Sequence, residues 1–252
     1  MMQATATTAL LLLSTAAYCG AQPWQDEAVQ TCAGLNLTQK LTLMRGYGKI
    51  DGYSRNSGCA GKCGRDTFRW DNGPQGFGDG SPPGSSTQWP SCLNMGATFD
   101  TTLASEWGIA MGKEFWDKGT NIQEGPGLNV ARVMKNGRNF EYMSGESGTL
   151  GAVLARPLIA GIQKHVMSIA KHYIGNTQET KRTSVNEVID EVTMMELYAV
   201  PFAAAAEHAS GFMRVCRIQQ NSASTHTDHS TSATLAVNNT TDGQTRTKQV
   251  RV

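Results

Sequence analysis

Four polar side chains sit in stretches crowded with glycine, asparagine and aromatic residues. Asp71 lies in Trp70-Asp71-Asn72-Gly73-Pro74-Gln75-Gly76, and Arg138 in Gly137-Arg138-Asn139-Phe140-Glu141. Lys171 and His172 are adjacent in Ala170-Lys171-His172-Tyr173-Ile174-Gly175-Asn176-Thr177-Gln178-Glu179. A carboxylate accepts from two neighbouring donors at once. Arginine and lysine donate charge-assisted hydrogen bonds, and a neutral imidazole does one of each. Plain structural roles fit the same residues. Asp71 before Asn-Gly suits a turn, and Arg138 suits a surface pair with Glu141. Lys171 and His172 on one strand would point to opposite faces unless a bulge or strand end brings them together. Trp70, Trp89 and Trp116 suit either stacking on a ligand or packing in a core.

Other chemical motifs fail. Gly108 to Lys113 has too few residues between its glycines for a phosphate loop, and Glu114 stands where Ser or Thr is needed. Gly145-Glu146-Ser147-Gly148 is one residue short of a nucleophile elbow. Cys59 and Cys63 have no second Cys/His pair, so zinc is not expected. His226 and His229 fall in a polar tail and read as incidental. No cofactor is implied.

The elements that must position these residues follow from periodicity and punctuation. Residues 24–45 read as one helix. The stretch from Gly46 to Pro90 is loop-rich, with a short strand at 68–70. Thr101 to Lys118 is the clearest helix, with Leu103, Trp107, Ala110, Met111 and Phe115 on one face, Asp100 as its cap and Gly119 at its end. A short extended segment at 121–123 runs into the Gly125-Pro126-Gly127 turn. Gly148 to His165 reads as a helix interrupted by Pro157. Ser168 to Ile174 reads as a short buried strand, and Glu187 to His208 as a helix kinked at Pro201. Helices alternating with short extended pieces predict an α/β fold with parallel strands. From Arg217 onward Thr, Ser, Asn and Gln dominate, which predicts a disordered tail over 217–252.

Charged residues are 17% of the chain and net charge is +1, which argues against a nucleic-acid binder, since such proteins normally show a basic stripe. Residues 1–21 read as a signal peptide, and a secreted, extracellular protein is expected. No later run is long and apolar enough for a membrane span. Six cysteines lose Cys19 with that signal, leaving an odd number. Asn36, Asn238 and Asn239 match the glycosylation pattern.

In order and spacing, the four stretches resemble glycoside hydrolase family 3, the β-glucosidase and β-xylosidase group. The quoted motifs include Gly125-Pro126-Gly127-Leu128-Asn129-Val130-Ala131-Arg132 and Gly161-Ile162-Gln163. Ala97-Thr98-Phe99-Asp100, Lys118-Gly119-Thr120-Asn121 and Gly145-Glu146-Ser147 agree as well. The resemblance covers about Leu35 to Met213. It implies an incomplete (β/α)8 TIM-like barrel over 22–216, with a sugar pocket at the carboxyl ends of the strands. It implies glycone binding by Asp71, Arg138, Lys171 and His172, and a β-glucoside or β-xyloside as partner. Sugar hydroxyls both donate and accept, which suits that set.

The family hydrolyses with retention, using two carboxylates about 5–5.5 Å apart. In relatives the nucleophile is an Asp in a Ser-Asp-Trp type strand end, after a Ser-Tyr-Asn stretch. Here Gly211-Phe212-Met213 runs into Arg214-Val215-Cys216-Arg217-Ile218. Neither Asp228 nor Asp242 sits in strand-like sequence, so no catalytic residue is assigned. The abrupt change reads as a shifted reading frame or a retained intron. The alternative function is a catalytically inactive, secreted sugar-binding remnant.

Overall fold

The computed structural model describes residues 23–44, 46–47, 55–57, 68–78, 85–182, 184–214, 233–239 and 246–251. The expected signal peptide, Cys19, Cys59, Cys63, Cys216, His226 and His229 lie outside them.

The expected first helix is two. α1 (Pro23–Gly34) and α2 (Leu37–Met44) are separated at Asn36. The Asn36 amide donates to Gln39 Oε1 and the Gln39 amide to Asn36 Oδ1, each at 2.9 Å. This reciprocal cap restarts the helix where Gly34 has ended the previous one. Two short strands follow, β1 (Gly46–Tyr47) and β2 (Arg55–Ser57), antiparallel to each other. β2 pairs antiparallel with β3 (Arg69–Asn72).

From β3 the chain alternates. α3 (Cys92–Gly96) and α4 (Thr101–Asp117) lead to β4 (Ile122–Glu124), and α5 (Gly148–Ile162) leads to β5 (Met167–Tyr173). Asp100 caps α4 by accepting from the amides of Thr102 and Leu103, and Gly119, at φ 90°, lets the chain turn away. α5 runs through Pro157 without interruption. The carbonyl that loses its partner there belongs to Val153, which is half exposed, so water can replace the bond. The last helical run comprises α6 (Glu191–Thr193), a π-helical turn (Met194–Tyr198) and α7 (Ala199–Ala206), before β6 (Gly211–Arg214). Its irregularity precedes Pro201 because the proline ring cannot take the regular bond one turn back.

β3, β4, β5 and β6 pair in parallel and in sequence order, Trp70 against Ile122 against Met167 and Ile169 against Gly211. Among the described residues this is an α/β sheet with four parallel strands, where a closed (β/α)8 barrel has eight. One face carries the cluster Trp70, Ile122, Ile169 and Met213. The other packs against the helices through Trp107, Met111, Phe115, Leu154, Leu158, Ile159, Ala170 and Phe202. The apolar face predicted for residues 101–118 therefore points inward at Trp107, Met111 and Phe115, while Leu103 remains partly exposed. α4 and α5 touch backbone to backbone. A Cβ on Gly108 would meet the Leu158 carbonyl oxygen at 2.4 Å, and one on Gly161 the Ser105 carbonyl oxygen at 2.4 Å.

β7 (Ala233–Asn239) pairs antiparallel with β6 and with β8 (Arg246–Arg251). The rest of residues 217–252 lies outside the described residues.

Candidate functional site

The carboxyl ends of β3, β4 and β5 converge. Asn72 ends β3 and is in register with Glu124, which ends β4. Lys171 and His172 stand near the end of β5, where the register against β6 slips between Lys171 and Tyr173. β5 is covered on both faces, so consecutive residues from Ser168 to His172 are all buried, Lys171 at 2% exposure and His172 at 6%.

The segment after β4 is stitched into this end of the sheet. The Lys171 amide donates to the Pro126 carbonyl at 2.9 Å, and the Leu128 amide to the Lys171 carbonyl at 2.8 Å. Met143 N–H donates back to the Gly127 carbonyl at 2.9 Å, and Ser144 Oγ to the Leu128 carbonyl at 2.6 Å. A Cβ at Gly127 would lie 2.1 Å from the Glu141 carbonyl oxygen, so only glycine permits this approach. Residues 125–132 thereby tie the Arg138–Met143 segment to β5.

Arg138, Lys171 and His172 stand in three separate hydrogen-bonded groups that act on one another through charge: Lys171 feels both Arg138 and Glu141, and Arg138 feels Tyr142. Arg138 Nε donates to Glu141 Oε1 at 2.5 Å and faces Glu179 Oε2 at 3.6 Å. Arg138 and Glu141 are about nine-tenths buried, so this is not the surface pair that the sequence allowed. Burial is the largest single influence and opposes the guanidinium charge, but the Glu141 hydrogen bond together with the negative charges of Tyr142, Glu141 and Glu179 outweighs it and holds Arg138 above its ordinary range. Arg138 Nη1 is buried with no hydrogen-bond partner among the described residues. Tyr142 OH donates to the Asn176 carbonyl at 2.6 Å and lies 2.9 Å from His172 Nδ1. With the hydroxyl hydrogen spent on Asn176, Nδ1–H of the imidazole is the donor, which leaves Nε2 as the acceptor of a neutral ring.

Lys171 Nζ donates to Asn72 Oδ1 at 2.5 Å. Burial pushes the Lys171 ammonium below its ordinary value of 10.5, and Glu124 and then Glu141 pull it back up. Asp71 is fully buried, and its Oδ1 accepts from the Asn72 amide at 2.7 Å. Strand alternation sets Asp71 and Asn72 on opposite faces of β3, with Asn72 on the side of Lys171. Of the four side chains singled out in the sequence, Arg138 bonds Glu141, His172 contacts Tyr142, Lys171 bonds Asn72, and Asp71 adjoins Lys171 through Asn72. Cys92 donates Sγ–H to the Pro74 carbonyl at 3.1 Å, and burial pushes its thiol up to about 12, so it is no nucleophile at neutral pH. Trp70 is core, Trp89 donates Nε1–H to Glu114, and Trp116 is partly exposed.

Asn72, Glu124 and Tyr142 escaped the sequence reading. Asn72 stood beside a carboxylate that drew attention first. Glu124 had a legible signal, a charge at the end of a short buried strand just before Gly-Pro-Gly.

The family model "Glycosyl hydrolase family 3 N terminal domain" matches residues 75–236. A probable beta-glucosidase I of Aspergillus flavus is 36% identical over 157 residues, covering 60% of this chain and 17% of that protein. One from Neosartorya fischeri is 32% identical over 199 residues, covering 77% and 22%. The solved structure of beta-glucosidase 3B from Thermotoga neapolitana in complex with alpha-D-glucose superposes with a TM-score of 0.67 at 26% identity, over 75% of this chain and 29% of that one. The chain thus spans about a fifth of the length of these curated relatives.

Proposed function

The chain belongs to glycosyl hydrolase family 3, and on that premise we propose that the polar groups at the ends of β3, β4 and β5 hold the terminal sugar of a β-glucoside or β-xyloside. The observation that carries the reading is the set of buried hydrogen-bonding groups around Arg138, Lys171 and His172. Arg138 Nη1 is a charged donor with no protein partner among the described residues, and the Tyr142 contact orients His172 so that Nε2 accepts. A pyranose offers vicinal hydroxyls that meet both kinds of group. Burial strengthens each such bond, because water competes poorly for it.

These residues bind and orient. Arg138 and Lys171 donate to ring hydroxyls, and His172 Nε2 accepts. Glu141 is committed to Arg138 and keeps that guanidinium in place. Hydrolysis with retention takes an attacking carboxylate and a second that protonates the leaving oxygen. The names of the relatives support β-glucoside hydrolysis as the activity of the whole protein. The apolar run within residues 1–21 supports a secreted setting.

Titration calorimetry with methyl β-glucoside tests the binding. Lys171→Ala and His172→Ala should each weaken affinity about tenfold or more, the cost of a lost charged or buried hydrogen bond. A folded chain that takes up neither glucoside nor xyloside would sink the reading. An aryl β-glucoside assay then separates turnover from binding alone.

A further inference from the structure

Asn72 is followed by Gly73 at the very end of β3, and its side-chain carbonyl oxygen is held by the Lys171 ammonium at 2.5 Å. We infer that Asn72 is a site of spontaneous deamidation, which converts the neutral amide of this pocket into a carboxylate.

The Gly73 backbone nitrogen attacks Cγ of Asn72 and gives its proton to water. The side-chain nitrogen leaves as ammonia, closing a five-membered succinimide. One water then opens the ring, to aspartate or to the β-linked isoaspartate. The net change is amide plus water to carboxylate plus ammonium, and no oxidant or reductant takes part.

Three features of the structure favour this position. Glycine as the successor puts no Cβ in the path of ring closure. Asn72 is exposed, and it is the last β3 residue in register with β4, so water reaches the side chain. Negative charge develops on Oδ1 as the tetrahedral intermediate forms, and the Lys171 Nζ–H donor already points at that atom. A cation fixed against a developing oxyanion lowers the barrier more than a mobile water does.

The chain carries its own control in Asn136-Gly137. Asn136 is only 9% exposed, its amide donates to the Val133 carbonyl, and its carbonyl accepts from the Glu179 amide at 2.8 Å. The two dipeptides therefore differ in the burial of the asparagine and not in backbone bonding, because the Asn72 carbonyl accepts from the Gly78 amide at 3.0 Å and the Gly73 carbonyl from Gln123 Nε2 at 3.0 Å.

Conversion would place a carboxylate against a buried ammonium and replace a group that donates and accepts with one that only accepts. Any change in sugar affinity rests on the function proposed above; the chemical conversion does not.

The folded chain, aged in mildly alkaline buffer, is followed by peptide mapping and mass spectrometry beside the same chain aged in urea. The expected result is aspartyl and isoaspartyl product at position 72 in the folded sample, with position 136 still an amide, while both convert in urea. Folded Lys171→Met should convert about tenfold more slowly at position 72. Asn72 remaining intact in the folded chain while it converts in urea would overturn the inference, as would conversion of Asn136 at the same rate. An unchanged rate in a folded Lys171→Met chain would overturn the part given to the lysine. These readouts need no sugar, so they stand or fall apart from the binding experiment.

Discussion

Lys171 concentrates the energetic tension of the site. A buried ammonium is disfavoured by lost hydration, and here that loss outweighs the pull of Glu124 and Glu141, so the folded-state pKa lies below the ordinary 10.5. A depressed pKa makes the folded state bind the proton less well than the unfolded chain. Above about 10.4 the amine is neutral in both states and burial carries no charge penalty, whereas below the folded pKa the penalty is complete. Stability from this group is therefore present at high pH and lost as pH falls through the folded pKa. Removing the charge while keeping an apolar stem makes that dependence visible. Urea melts of wild type and Lys171→Met should differ most in the variant's favour near neutrality, and the difference should shrink as pH rises toward the lysine range. A difference that stays constant with pH would show that Lys171 keeps its ordinary affinity for protons when folded.

At the scale of elements, glycines set how close α4 and α5 can come. A Cβ at Gly108 would sit 2.4 Å from the Leu158 carbonyl oxygen, a backbone atom that cannot rotate away. Gly108→Ala gains about 1 kcal/mol in helix propensity but must push two buried helices apart, which costs about 1–3 kcal/mol. The second effect wins because the contact is backbone on backbone. The variant should melt several degrees below wild type, whereas Gly34→Ala, with nothing within 4 Å of its Cβ, should melt at the wild-type temperature or above it. Equal melting of the two variants would show that the helices yield freely. The helices themselves were legible in the sequence because caps and 3.6-residue spacing are local: Asp100 and Gly119 bound α4 where they were expected to. The break at Asn36 was missed because a reciprocal cap inside an apolar period looks like one helix continuing. The site was half legible. Arg138, Lys171 and His172 stood in marked motifs, but the cover on both faces of β5 that buries Lys171 and His172 alike comes from distant elements and leaves no local trace. Asn72 was hidden for a related reason: which of two neighbours on a short strand faces the lysine is decided by register and not by residue type.

At the scale of the molecule, burial is uneven along the chain. The main core joins α3, α4, α5, β5 and α7 through side chains such as Met111, Phe115, Leu158, Ala170 and Phe202, all at 2% exposure or less. α1 and α2 contribute almost nothing to it: Val29, Leu37 and Leu41 are 67%, 71% and 57% exposed. A helix of eight to twelve residues is marginal without tertiary packing, since nucleation costs more than a few hydrogen bonds return. The Asn36–Gln39 cap adds about 1 kcal/mol, which is too little to compensate. Opening of α1 and α2 should therefore be a local event, separate from the unfolding of the sheet and its helices. Native-state hydrogen exchange resolves this directly. Amides of α1 and α2 should exchange within the earliest time points, while those of α4, α5 and β5 persist to the slowest class. In low urea the first group should show no denaturant dependence and the second a steep one, because only the second exposes a core when it opens. Equal protection across both groups would mean that the exposed apolar side chains of α1 and α2 are covered in solution.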